Sequence, residues 1–282
     1  MFFCRGSRAG CGSTDHRSPI TDHAVRAGFT LIELLVVVGI IALLLVLIAP
    51  AFTYIKGGTD VTSAAYTIKD VLDTARTYAK ANNTYTWVGF FEEDAPPPST
   101  IPVPAGIGRV VMSIVASTGG TMLYTGNLGS PVVLDPSPLP SPAPVIQVGK
   151  LTKIDNVHLK TFPAATATPP PDTFDKRPAV SSTAAQIGND ASTDPSTPTA
   201  PPTPNLTFHY PVGSSSPQYT FVKIVQFNPR GEGVIDNSNY TMAPVSEIGL
   251  QPTHGTTVDT NSTNFVAIQF TGFGGSVKIY RK

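Results

Sequence analysis

A continuous apolar stretch, Leu34–Ala49, with a single carboxylate, Glu33, at its entrance constrains this 282-residue chain more than any other feature. Phe29 to Ala49 is 21 residues, which as a helix spans about 31 Å at ~1.5 Å per residue, close to a ~30 Å hydrocarbon core. Fifteen residues between Leu31 and Ile48 are Leu, Ile or Val. At roughly −0.3 to −0.6 kcal/mol each they contribute about −5 to −9 kcal/mol to insertion. An acid at the membrane centre costs about 3 kcal/mol on the same scale, and less at the margin where Glu33 lies. The arithmetic predicts insertion. Four arginines (Arg5, Arg8, Arg17, Arg26) and no lysine precede the run, so the positive-inside rule leaves residues 1–28 in the cytoplasm and exports the rest.

A carboxylate in such a segment is costly enough to need a reason. A plain signal anchor supplies none. A secretory signal peptide is a second reading, because Ala49-Pro50-Ala51 fits a small-x-small cleavage site. Against it, the run is longer than a usual signal core, begins with an acid and puts a proline inside the site. The third reading is a resemblance. Gly28-Phe29-Thr30-Leu31-Ile32-Glu33-Leu34-Leu35-Val36-Val37 resembles the cleavage and methylation motif of type IV prepilins and type II secretion pseudopilins. The resemblance implies that a prepilin peptidase cuts between Gly28 and Phe29 and that the new Phe29 amine is methylated. It also implies that Glu33, fifth residue of the product, pairs with the Phe29 amine of a neighbouring subunit. In low dielectric an ammonium and a carboxylate each need a partner, and an orphaned one is severely destabilising. Pro50 falls where many members of the group have a helix-loosening proline. The implied partners are the peptidase, other pilin or pseudopilin subunits and the inner membrane, which the chain crosses once with its C-terminal domain outside.

Removing residues 1–28 takes away Cys4 and Cys11, the only cysteines, so neither a disulfide nor a thiolate metal site can support the exported part. It also removes four of 19 basic and two of 19 acidic side chains, leaving 15 against 17. A formal charge near −2 gives no general attraction for nucleic acid. With 28 prolines and 13% charged residues, the composition fits an extracellular β-rich protein rather than a cytosolic enzyme.

The chain reads as a leader (1–28), a transmembrane, filament-core helix (29–56), an amphipathic helix (59–83) and an exported β-rich domain (84–282). Gly57-Gly58 predicts a break, with Thr59 or Asp60 capping the second helix. Val61, Ala64, Ala65, Ile68, Val71, Leu72, Ala75, Tyr78 and Ala79 form a helical stripe facing a sheet, and Asn82-Asn83 ends it. Strand-like runs follow at 84–91, 109–116, 121–125, 145–150, 157–162, 206–210, 219–227, 265–272 and 275–281, with Gly119-Gly120 and Gly274-Gly275 as hairpin turns. Segments 94–104, 135–144 and 163–204 are rich in Pro, Ser, Thr and Ala, and are predicted disordered or polyproline-like. The fold class expected is α+β: a long N-terminal helix packed on an antiparallel sheet or sandwich, with Pro-rich insertions. The helix ending in Ala75-Arg76-Thr77-Tyr78-Ala79-Lys80-Ala81-Asn82-Asn83 and turning into a β-run, together with the C-terminal runs, is similar to H-type pseudopilins and FimT-like minor pilins.

Catalytic and cofactor signals are absent from the sequence. His158, His209 and His254 stand apart, with no metal-ligand spacing. Glu92-Glu93-Asp94 reads as a solvated turn rather than a calcium site, and Gly272-Phe273-Gly274-Gly275 as a hairpin rather than a phosphate loop. A structural subunit of a filament, without enzymatic activity, cofactor, metal or small-molecule substrate, is the first hypothesis. The alternative is a FimT-like minor pilin that captures DNA, with Lys278, Arg281 and Lys282 as its candidate contacts.

Overall fold

A computed structural model describes residues 30–123, 132–163, 173–180, 185–188, 206–235 and 243–282, and within the helix the side chains of all but residues 47–59. The chain divides into two units, Met1–Ala49 and Pro50–Lys282. One helix, α1 (Leu31–Ala81), begins in the first and ends in the second. Helical backbone runs through Pro50 and through Gly57-Gly58, where the sequence predicts a break. Two glycines cost about 2 kcal/mol relative to alanine, and cooperative propagation from long helical flanks outweighs that. Of the two residues expected to cap a second helix, the Thr59 side chain lies outside the described residues, and Asp60 Oδ2 accepts a hydrogen bond from Asn156 Nδ2 at 3.0 Å.

The C-terminal end of α1 matches expectation. Asn83 adopts the left-handed conformation (φ 49), Thr84 N donates to Ala79 O at 2.9 Å and Asn83 N to Lys80 O at 3.5 Å. This paired pattern satisfies carbonyls that a helix end leaves open. The predicted stripe is buried from Val61 to Ala79, with Tyr78 half-buried.

Fourteen strands are described: β1 (Thr86–Asp94), β2 (Gly108–Ser117), β3 (Val132–Val133), β4 (Val145–Asp155), β5 (Val157–Leu159), β6 (Gln186–Ile187) and β7 (Leu206–Tyr210), then β8 (Tyr219–Phe221), β9 (Lys223–Phe227), β10 (Gly233–Ile235), β11 (Val245–His254), β12 (Thr257–Val258), β13 (Val266–Thr271) and β14 (Val277–Arg281). A central antiparallel sheet has the order β10-β9-β1-β2-β4. A second sheet runs β12-β11-β13-β14, with β5 and β6 also pairing with β11, and a small third sheet runs β3-β7-β8. The α+β class and the antiparallel sheets are as predicted.

Both faces of the central sheet are covered, so β1 is buried at nearly every position. Val88 and Phe90 join Ile68, Leu72 and, from the second sheet, Ile248 and Ile268 in the main core. Trp87 and Phe91 face the other way, into a cluster with Phe208, Tyr219 and Phe221. Gly89 makes this packing possible, since a Cβ there would lie 2.5 Å from Phe221 Cβ and 2.6 Å from Phe208 Cζ.

Several sequence expectations are corrected. The run 219–227 is two strands, because β8 belongs to the third sheet and β9 to the central one. Residues 121–123 carry no strand and 124–125 lie outside the described residues, so among the described residues Gly119-Gly120 joins no hairpin. Strand β11 was not predicted. Of the Pro-rich stretches, 94–104 carries no strand beyond Asp94, the last residue of β1, and 135–144 carries none, but both make fixed contacts: Val103 N donates to Gln218 O at 3.0 Å and Asp135 is buried. Most of 163–204 lies outside the described residues.

Candidate functional site

The start of α1 is closed by a reciprocal cap. Thr30 N and Thr30 Oγ1 donate to Glu33 Oε2 at 2.9 and 2.8 Å, and Glu33 N donates to Thr30 Oγ1 at 3.3 Å. Leu34 N donates to Thr30 O at 3.2 Å, beginning the helical ladder. This is a capping box, Thr-x-x-Glu, which satisfies amide donors that the first turn would leave open. A negative charge in the first turn also complements the helix dipole. The spacing is legible in the sequence, although the role of Thr30 was not read from it. Among the described residues no hydrogen bond reaches Glu33 Oε1.

Around the cap the surface is apolar. Leu31, Ile32 and Leu34 are exposed, as are the large apolar residues onward to Val46. Among the described residues no helix is long and apolar enough to cross a membrane; the described side chains of this run end at Val46, while the sequence stays apolar through Ala49. Gly28 and Phe29 lie outside the described residues, as does the side chain of Pro50.

Glu92 and Glu93, expected in a solvated turn, are fully buried in β1 and point to opposite faces of the sheet. Glu92 Oε1 lies 2.7 Å from His158 Nδ1, and its carboxylate accepts from Gly108 N at 3.2 Å and Leu159 N at 3.3 Å. Glu93 accepts from Tyr219 Oη at 2.9 Å and Lys153 Nζ at 3.1 Å, with Arg109 close by. His209 pairs with the buried Asp135 at 3.1 Å. Neither histidine stands alone, because each meets a carboxylate distant in sequence. Among the described residues no three His, Cys, Asp or Glu side chains come together as a metal site.

Burial raises the pKa of the Glu92 carboxyl, against the opposing pull of His158 and the Gly108 and Leu159 amides. A carboxyl that holds its proton more tightly when folded contributes stability that is complete below the ordinary carboxylate range. That contribution is lost as pH rises through the raised folded value. Denaturant unfolding across pH should therefore show wild type losing stability relative to Glu92→Gln over this window. Parallel profiles would contradict it.

The C-terminal cations do not share one face. Lys278 and Arg281 are three residues apart on β14, which puts them on opposite sides. Lys278 Nζ sits 5.0 Å from the Tyr280 ring centroid, and Lys282 Nζ lies 3.3 Å from Asp175 Oδ1.

Residues 24–49 match the family described as the prokaryotic N-terminal methylation motif. No curated protein and no solved structure matches the chain. The match supports a type IV pilin-like subunit of the kind that a prepilin peptidase processes.

Proposed function

We propose that the chain is a minor pilin or pseudopilin subunit, anchored in the inner membrane by the Phe29–Ala49 segment until it is drawn into a type II secretion pseudopilus or a type IV pilus-like filament. The peptidase cuts between Gly28 and Phe29, and methylation of the Phe29 amine completes the mature N-terminus. In the filament Glu33 accepts the Phe29 ammonium of an adjoining subunit, while the β-domain faces outward.

The observation that carries this reading is the processing motif over residues 24–49. The capping box supports it further: Thr30 and Glu33 both remain after the cut, so the helix keeps its cap. The exported domain supplies the outward-facing body, with its helix, three sheets and cysteine-free core. Expression with and without a prepilin peptidase tests the processing step. The chain should shorten by 28 residues only when the peptidase is present, and Gly28→Val should stay full length. Shortening that ignores both the peptidase and residue 28 would refute it.

A further inference from the structure

The outer face of the second sheet, on the side away from α1, is covered by one short piece of the Pro-rich insertion, residues 173–180, whereas residues 185–188 carry β6 within that sheet. Phe174–Lys176 forms a 3-10 turn. Its Phe174 ring packs edge-on against Phe162, with centroids 5.0 Å apart, and beside Phe265 at 6.3 Å. Arg177, only 3% exposed, reaches the equally buried Glu247 of β11 through two bonds: Nε to Oε2 at 2.6 Å and Nη2 to Oε1 at 3.2 Å. Its guanidinium lies over the Phe174 ring at 4.5 Å and near the Phe162 ring at 5.6 Å. Its remaining donors reach Phe174 O and Pro163 O, both at 3.0 Å.

The sheet side of this contact is built to receive an arginine. Glu247 is oriented by Gln269 Nε2 at 2.7 Å and Gln186 Nε2 at 3.3 Å. Gln269 also donates to Pro178 O at 2.9 Å. Gly249 leaves the space that the Phe162 ring fills, since a Cβ there would meet Phe162 Cε2 at 2.7 Å and Lys160 O at 1.8 Å. A forked guanidinium matching a carboxylate, with aromatic faces around it, selects arginine over lysine.

The covering piece, residues 173–180, holds the sheet through side chains, with no backbone bond to it among the described residues. Residues 185–188 belong to the sheet: Gln186 pairs with Glu247 and Ile187 with Ile248, and Ile187 lies in the main core. The strands beneath have their own support, with six pairs between β11 and β13 and five between β13 and β14. Their other face packs into the main core against α1. A unit with few backbone bonds over an independently supported sheet can open locally at lower free energy than the sheet itself.

We propose that residues 173–180 form a strap, a self-ligand whose Phe174 and Arg177 fill an arginine-selective groove and which opens without unfolding the sheets below. The groove fits a segment bearing an aromatic residue three positions before an arginine, and its occupant is this chain's own Phe174-Asp175-Lys176-Arg177. Opening exposes Glu247 and the Phe162, Phe265 and Tyr280 rings. The proposal is independent of the filament reading, because it concerns only the exported domain.

The test uses the full chain in detergent micelles with a labelled peptide, Thr-Phe-Asp-Lys-Arg-Pro, copied from residues 173–178. The wild-type chain, its groove filled, should bind the peptide at least tenfold more weakly than the Phe174→Ala/Arg177→Ala variant. A peptide with alanine in place of the arginine should bind that variant at least tenfold more weakly than the original. Hydrogen exchange should show the Lys176 and Arg177 amides of the wild-type chain exchanging faster than those of β13, with β11–β13 protection kept in the variant. Three results would overturn the proposal: loss of β11–β13 protection in the variant, which would make these residues core; a folded variant that ignores the peptide or its arginine; or strap amides exchanging as slowly as β13.

Discussion

Replacing Glu33 with alanine is expected to abolish recovery of the chain in sheared filaments while leaving its membrane insertion unchanged. Insertion depends on the Leu, Ile and Val residues between Leu31 and Ile48, none of which the substitution touches, and it removes an acid that opposes insertion. Assembly differs, because without the carboxylate a neighbour's Phe29 ammonium enters an apolar environment with no counter-charge, and an orphaned buried charge is severely destabilising. The same substitution removes the cap on Thr30, so a second variant separates the two effects. Glu33→Gln keeps an oxygen that can accept from Thr30 but carries no charge, and should also fail to assemble. Immunoblots of membrane and sheared-filament fractions read both outcomes. Normal recovery of Glu33→Gln would mean that capping, not charge pairing, is what the acid supplies.

Trp87→Ala is expected to destabilise the β-rich domain by about 3–5 kcal/mol, the usual range for deleting a buried large aromatic. Trp87 is fully buried between the central and third sheets, and its Nε1 donates to Gln226 Oε1 at 2.8 Å. Truncation leaves both a cavity and an amide oxygen without its donor, and an unsatisfied buried acceptor adds its own cost. Asp70→Ala, on the exposed face of α1, is the matched control and should stay within about 0.5 kcal/mol of wild type. Denaturant unfolding followed by tryptophan-independent circular dichroism measures both. A Trp87→Ala loss below about 1 kcal/mol would contradict the packing of the third sheet on β1.

What was legible in the sequence was the part with a simple period or a long motif. The α1 stripe from Val61 to Ala79 was readable because helical spacing repeats for five turns, and β2, β7 and β14 because apolar residues cluster between turn signals. The break at Gly57-Gly58 was misread because local propensity omits the cooperative support of flanking helix. Strand β11 was invisible because its Ser246, Glu247, Gln251 and Thr253 are polar yet buried. Glu247 finds its partner, Arg177, 70 residues away in sequence, and Gln251 donates to the Asp259 carbonyl beyond the following turn. The same cause hid the Glu92–His158 and Asp135–His209 pairs, whose members lie 66 and 74 residues apart. At the candidate site the sequence displayed Gly28, Phe29 and Glu33 through a motif, and the structure added the bonds between Glu33 and Thr30, whose capping-box spacing was present but not read.

The most direct measurement is the intact mass and N-terminal sequence of the membrane-bound form from cells that contain a prepilin peptidase. The account predicts a chain of 254 residues beginning at Phe29 and heavier by one methyl group at its amine. A chain beginning at Phe52, cut after Ala51 and stripped of its apolar helix, would contradict it.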